Sequence, residues 1–90
     1  MTDHDLSESS LTAWLGTTVA RLARIDPSLV GPTSAFDDLG LSSLAAVTLT
    51  AELSQAFGIE VDPTITWDYP TIGEVARALA ARAGEAKTSE

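Results

Sequence analysis

The chain has no cysteine and one histidine, His4, in 90 residues. Without cysteine there is no disulfide framework, no thiolate metal site and no thiol of the polypeptide's own for any chemistry. A lone histidine in a polar N-terminal stretch leaves no fixed base for a Ser-His-Asp arrangement. The carboxylates lack calcium-loop spacing, and there is no glycine-rich phosphate loop of a recognised kind. No apolar run is long enough to span a bilayer, and no charged-then-apolar leader follows Met1. A soluble, cytoplasmic chain with no membrane insertion is therefore expected. Basic residues are scarce as well. None lies between Ile25 and Ala76, a span that holds Asp26, Asp37, Asp38, Glu52, Glu60, Asp62, Asp68 and Glu74. The five basic residues, Arg21, Arg24, Arg77, Arg82 and Lys87, are balanced by acids outside that span, so the net charge of −8 belongs to the middle of the chain. Nucleic-acid binding without a basic patch is disfavoured, whereas an acidic face suits basic protein partners. The parts for catalysis are missing, which leaves the roles of substrate, carrier or binding module.

What is present is helical periodicity. The length fits one domain, 1–90, with a core over about residues 8–84 and flexible tails at 1–6 and 85–90. Asp5 or Ser7 can cap a first helix whose apolar face is Leu11, Trp14, Leu15, Thr18, Val19, Leu22 and Ala23, and Asp26-Pro27 ends it. Gly16 inside this helix costs roughly 1 kcal/mol relative to Ala and suggests a close neighbour. A long connection follows, broken by Gly31-Pro32, with Leu29, Val30, Phe36, Leu39 and Leu41 available to pin it to the core. A second helix runs from Ser43 to Phe57, with Gly58 placed to stop it. Ala46, Leu49, Leu53 and Phe57 form its core stripe. Leu44, Val47 and Ala51 form another, turned away from the first. Ile59-Glu60-Val61 alternates but has no partner strand. Asp62-Pro63-Thr64 leads into a short helix, Ile65 to Tyr69, closed by Pro70. Thr71-Ile72-Gly73-Glu74 fits a capping box for a last helix with Ile72, Val75, Ala76, Leu79, Ala80 and Ala83 inward, stopped at Gly84. Trp14, Trp67 and Tyr69 are read as packing residues. The fold class is all-α: a small four-helix bundle of three main helices and one short one, with a long first loop.

Two serines, Ser42 and Ser43, open the second helix. A helix N-terminus has unpaired N–H groups and a positive dipole end, which suits a phosphate ester on a serine oxygen; serine is also a common N-cap. Phe36-Asp37-Asp38-Leu39-Gly40-Leu41-Ser42-Ser43-Leu44, followed by Val47 and Leu49, resembles the phosphopantetheine attachment motif of acyl carrier proteins. The resemblance extends through Gly58, Val61, Pro63-Thr64 and Trp67-Asp68-Tyr69-Pro70-Thr71-Ile72, over about residues 11 to 83. The last segment is more similar to polyketide synthase carriers than to fatty acid synthase ones. Peptidyl carriers usually have a second glycine where this chain has Leu41.

The resemblance implies that a phosphopantetheinyl transferase moves 4′-phosphopantetheine from coenzyme A onto Ser43. It implies that the arm's thiol then holds acyl or polyketide groups as thioesters for synthase enzymes. Implied partners are that transferase, an acyl-loading enzyme (an acyltransferase or acyl-AMP ligase) and a ketosynthase; a free-standing chain would be a monomer. The motif alignment alone selects Ser43 over Ser42. The family commonly has Asp where this chain has Ser42, so the acid that helps a metal ion in the transferase complex is missing. The second helix, with Glu52 its only charge, also lacks the acids common in bacterial fatty acid synthase carriers. The expected docking surface is Asp38, Leu41, Ser42, Leu44, Val47, Ala51 and Asp68, with Asp37 and Asp62 also at its charged edge. Alternatives are a fatty-acyl carrier loaded by an adenylating ligase, and an unmodified helical interaction module with the carrier fold.

Overall fold

Ser7 starts the first helix: its backbone is extended and its hydroxyl accepts the Ser10 N–H at 3.2 Å. A computed structural model of the chain describes residues 7–88, with side chains described through residue 82; the alternative cap Asp5 lies outside the described residues. Helix α1, Glu8–Ala23, buries Leu11, Leu15 and Val19 on one face, as the apolar spacing predicts. It ends before Asp26-Pro27, where the sequence places its stop. Arg24 adopts the left-handed conformation, with φ 62°, and Ile25 N–H donates to the Ala20 carbonyl at 2.9 Å. This Schellman closure satisfies the helix end without glycine, which is why the sequence gives little sign of it.

The connection contains a single 3-10 turn, Pro27–Leu29, capped by Asp26. Val30, Phe36, Leu39 and Leu41 pack on the core as expected. Leu29 does not, being 68% exposed: the 3-10 turn carries it outward. Helix α2, Ser43–Phe57, has the bounds expected and closes on Gly58 with φ 67°. It buries Ala46, Leu49 and Leu53, and Phe57 meets Trp14 edge-on with ring centroids 5.6 Å apart. Residues 59–61 form no strand; Ile59 and Val61 rest on the core, and the Ser54 hydroxyl donates to the Ile59 carbonyl.

Helix α3, Ile65–Asp68, is one turn long, and α4 follows as Ile72–Thr88. The capping box forms: Glu74 N–H donates to Thr71 Oγ1 and Thr71 N–H to Glu74 Oε1, both at 3.2 Å. Contrary to the stop expected at Gly84, α4 continues through it to Thr88. One interior glycine costs about 1 kcal/mol, and strong helix formers surround it: Ala81, Arg82 and Ala83 before, Ala86 and Lys87 after. Helix α1 packs chiefly on α4, then on α2. The core between them is Leu11, Leu15, Val19, Phe36, Leu49, Leu53, Ile65, Ile72, Val75 and Leu79. Each such side chain contributes roughly 1.5–3 kcal/mol on burial.

Gly16 has no close neighbour that forbids a side chain. A Cβ there would lie 3.8 Å from Val30 Cγ1, an ordinary contact. Gly16→Ala should therefore stabilise the domain by about 0.5–1 kcal/mol and raise Tm by roughly 3–6 °C, measured by thermal unfolding.

Candidate functional site

The segment Phe36–Leu41 coils tightly before α2. Leu39 N–H donates to the Ala35 carbonyl at 3.1 Å, Gly40 N–H to Asp37 at 3.2 Å and Leu41 N–H to Phe36 at 3.3 Å. Gly40 has φ 76°, where a side chain would be strained, and this turn reverses the chain into the helix. Phe36 is buried and Leu39 and Leu41 are half-buried against the core, leaving Asp37 and Asp38 exposed. Leu41, expected on the docking surface, is thus also an anchor of this turn.

Both serines are exposed, but their hydroxyls differ. Ser42 is the N-cap, with φ −71° and ψ 165°, and its Oγ accepts the Ala45 N–H at 3.1 Å. Ser43 is the first helical residue, and its Oγ has no hydrogen-bond partner among the described residues. The Ser43 and Leu44 N–H groups likewise find no acceptor there. A free hydroxyl beside unpaired amides at the positive end of a helix fits a phosphodiester.

One turn on, Val47 stands beside Ser43 on the helix surface, and Leu44 and Ala51 flank it. Leu44 is 77% exposed and Val47 50%; Ala51 is exposed too. None of the three joins the core. Glu52 forms an exposed ion pair with Arg21 of α1, so the helix's one charge is matched within the domain. Trp67 and Tyr69 correct the expectation that they pack: Trp67 is 73% exposed and Tyr69 40%. A one-turn helix buries only Ile65 and Thr66, and its length gives no second turn from which to read the phase. Asp68 is exposed beside them. The chain returns to the serine loop there, since Phe36 N–H donates to the Pro70 carbonyl at 2.9 Å.

Ser42 and Ser43 lie on the exposed surface. A groove of about 320 Å3 between α3 and α4, lined by Asp62, Ile65, Asp68, Tyr69, Ala78 and Arg82 among others, does not include Ser43. Among the described residues no cluster of three His, Cys, Asp or Glu side chains is placed to hold a metal ion, and no helix is long and apolar enough to cross a membrane.

A helical bundle that offers a free, exposed hydroxyl at a helix start has the form of a carrier domain. The chain belongs to the phosphopantetheine attachment site family, whose model matches residues 13–79, and the cofactor that family binds covalently is 4′-phosphopantetheine. A phenolphthiocerol/phthiocerol polyketide synthase polypeptide of Mycobacterium tuberculosis is 38% identical over 81 residues, 90% of this chain but 4% of that protein. The chain spans between 1% and 4% of the length of the curated relatives it matches. Among solved structures, a free-standing peptidyl carrier protein from an Acinetobacter baumannii secondary metabolic pathway is 30% identical. The match covers 88% of this chain and 99% of that one, with a TM-score of 0.82. An acyl carrier protein from Anabaena with a variant phosphopantetheinylation-site sequence is 28% identical, covering 91% and 93%, with a TM-score of 0.77.

Two exposed acids hold turns, Asp26 before the 3-10 turn and Asp62 before α3. Asp62 Oδ1 accepts the Thr64 N–H at 2.9 Å and the Thr64 hydroxyl at 2.8 Å, and Asp26 Oδ1 accepts the Ser28 N–H at 2.9 Å. These hydrogen bonds, the backbone N–H foremost, hold both carboxyls below the ordinary value of 3.8. A carboxyl depressed by folding stabilises the fold above its unfolded pKa, and this support is lost as pH falls through the folded one. Asp62→Ala should therefore be less stable than the parent at pH 7. The gap should narrow only below the ordinary value of 3.8, in thermal melts run from pH 7 to acid.

Proposed function

We propose that Ser43 carries 4′-phosphopantetheine and that the chain serves as a polyketide-type acyl carrier. The observation that carries this reading is the contrast between the two hydroxyls: Ser42 Oγ is engaged with the helix backbone, and Ser43 Oγ is not. Ser43 would hold the group as a phosphodiester, with the N–H groups of Ser43 and Leu44 at the phosphate. When bound, the group supplies a terminal thiol on a flexible arm, which carries acyl groups as thioesters. The polypeptide has no cysteine to compete with it. Its own part is tethering and presentation, without catalysis of its own. The polyketide assignment draws support from the curated relatives, which are polyketide synthases over most of this chain's length.

Leu44, Val47 and Ala51 form the apolar centre of the docking surface on this reading. Asp37, Asp38, Asp62 and Asp68 stand at its edge, and Leu41 and Ser42 hold the serine loop in register. The partners are a phosphopantetheinyl transferase, an acyl-loading enzyme and a ketosynthase. Delivery between them takes place in the cytoplasm, where coenzyme A is available. Because Glu52 is already paired with Arg21, it offers a partner little charge.

Intact mass and a free-thiol titration, before and after incubation with coenzyme A, magnesium and a broad-specificity transferase, test the site. The parent should gain one phosphopantetheine and one thiol, and Ser43→Ala neither. Ser42→Ala should still be modified while losing about 1 kcal/mol of stability through its cap. Modification that survives in Ser43→Ala and vanishes in Ser42→Ala would reverse the assignment; an unchanged parent mass would leave an interaction module with the carrier fold. For docking, Leu44→Ala and Val47→Ala should each raise the loading enzyme's KM by about tenfold, whereas Glu52→Gln changes it less than about twofold. Equal or reversed effects would move the docking surface elsewhere.

A further inference from the structure

Three backbone hydrogen bonds join the first loop to the start of α4. Gly73 N–H donates to the Pro32 carbonyl at 2.7 Å, Ile72 N–H to Ser34 at 3.1 Å, and Phe36 N–H to Pro70 at 2.9 Å. Ala35 and Thr71 pair between them as an antiparallel bridge. The first amides of a helix have no partner within it, and here the two leading amides of α4 are satisfied by loop carbonyls. The approach is close: a Cβ on Gly73 would lie 2.8 Å from the Pro32 oxygen and 3.4 Å from the Pro32 Cβ. The obstacle is backbone, so a side chain at 73 has to push the loop away. From this anchor the path to the serine is short. The Phe36 carbonyl accepts the N–H groups of Leu39, at 3.2 Å, and Leu41, at 3.3 Å, and Ser42 and Ser43 follow directly.

We infer that Gly73 is a positioning residue for modification at Ser43, acting through Pro32 and the Phe36–Leu41 turn; the inference rests on the carrier reading above. A transferase has to receive the loop and the helix start together. A loop loosened at its anchor spends less time in the receivable arrangement, so apparent affinity falls by that fraction while the bound reaction is unaltered. The signature is therefore in KM and not in kcat.

The test is steady-state modification of the full chain by a phosphopantetheinyl transferase, at a temperature where circular dichroism shows each variant folded. Gly73→Ala should raise the transferase's KM for the carrier about tenfold, with kcat within about twofold of the parent. Ala80→Gly, which weakens α4 two turns from the loop contact, should leave both constants within about twofold despite a lowered Tm. Equal KM for Gly73→Ala and the parent, or the same KM rise in Ala80→Gly, would overturn the inference. Absence of modification in the parent would instead defeat the carrier reading beneath it. Amide hydrogen exchange on the parent gives a second check that needs no variant. Leu39, Gly40 and Leu41 should be protected to the same degree as Ile72 and Gly73; much faster exchange in the serine turn would show that the anchor does not control it.

Discussion

The bonds between α4's leading amides and the carbonyls of Pro32 and Ser34 are the constraint on which the serine's placement depends. The connection from Arg24 to Ser42 is long for a helix–helix loop, and ordering it costs conformational entropy at every residue. Apolar anchors offset part of that cost, but Val30, Leu39 and Leu41 are only half-buried and Leu29 not at all. Direction comes from the hydrogen bonds. They meet two needs at once, since an uncapped helix end and an unpaired loop each leave polar groups without partners. The Thr71–Glu74 box completes the same helix end from its other side.

Features that depend on local chemistry were legible in the sequence. The bounds of α2, the left-handed Gly58 and the capping box rest on residues within a few positions of each other, and all three stand where the residues place them. The pattern from Phe36 to Leu44 marked the family. Features decided at a distance were not legible. Arg24 closes α1 by a backbone arrangement that usually selects glycine. The outward face of Trp67 was hidden because one turn carries too little periodicity to reveal its phase. Gly84 is read as a stop only if its neighbours are ignored. Gly73 sits inside a capping motif that explains it sufficiently by itself; only the approach of Pro32, far off in sequence, reveals the second demand on it.

Charge is arranged to leave α2 almost neutral outward. The helix has one acid, and it is paired with Arg21 across the α1–α2 contact. Other exposed acids sit off the helix, Asp37 and Asp38 on the loop before it and Asp62 and Asp68 around α3, so the face of Leu44 and Val47 is itself uncharged. If a partner docks there as proposed, long-range attraction would fall to the acids on the loops, and close fit to the side chains next to the serine.

The exposure of Ser43 at the start of α2 has a further consequence. A group mounted on an exposed side chain is enclosed only when another protein supplies the enclosure. On the carrier reading, this domain would be the guest in each encounter and the enzyme the host. Exclusion of water, alignment of the reacting atoms and choice among cargoes are then properties of the host's cavity. The domain would then pass unchanged among hosts with unrelated chemistries, provided each accommodates the same loop and helix start.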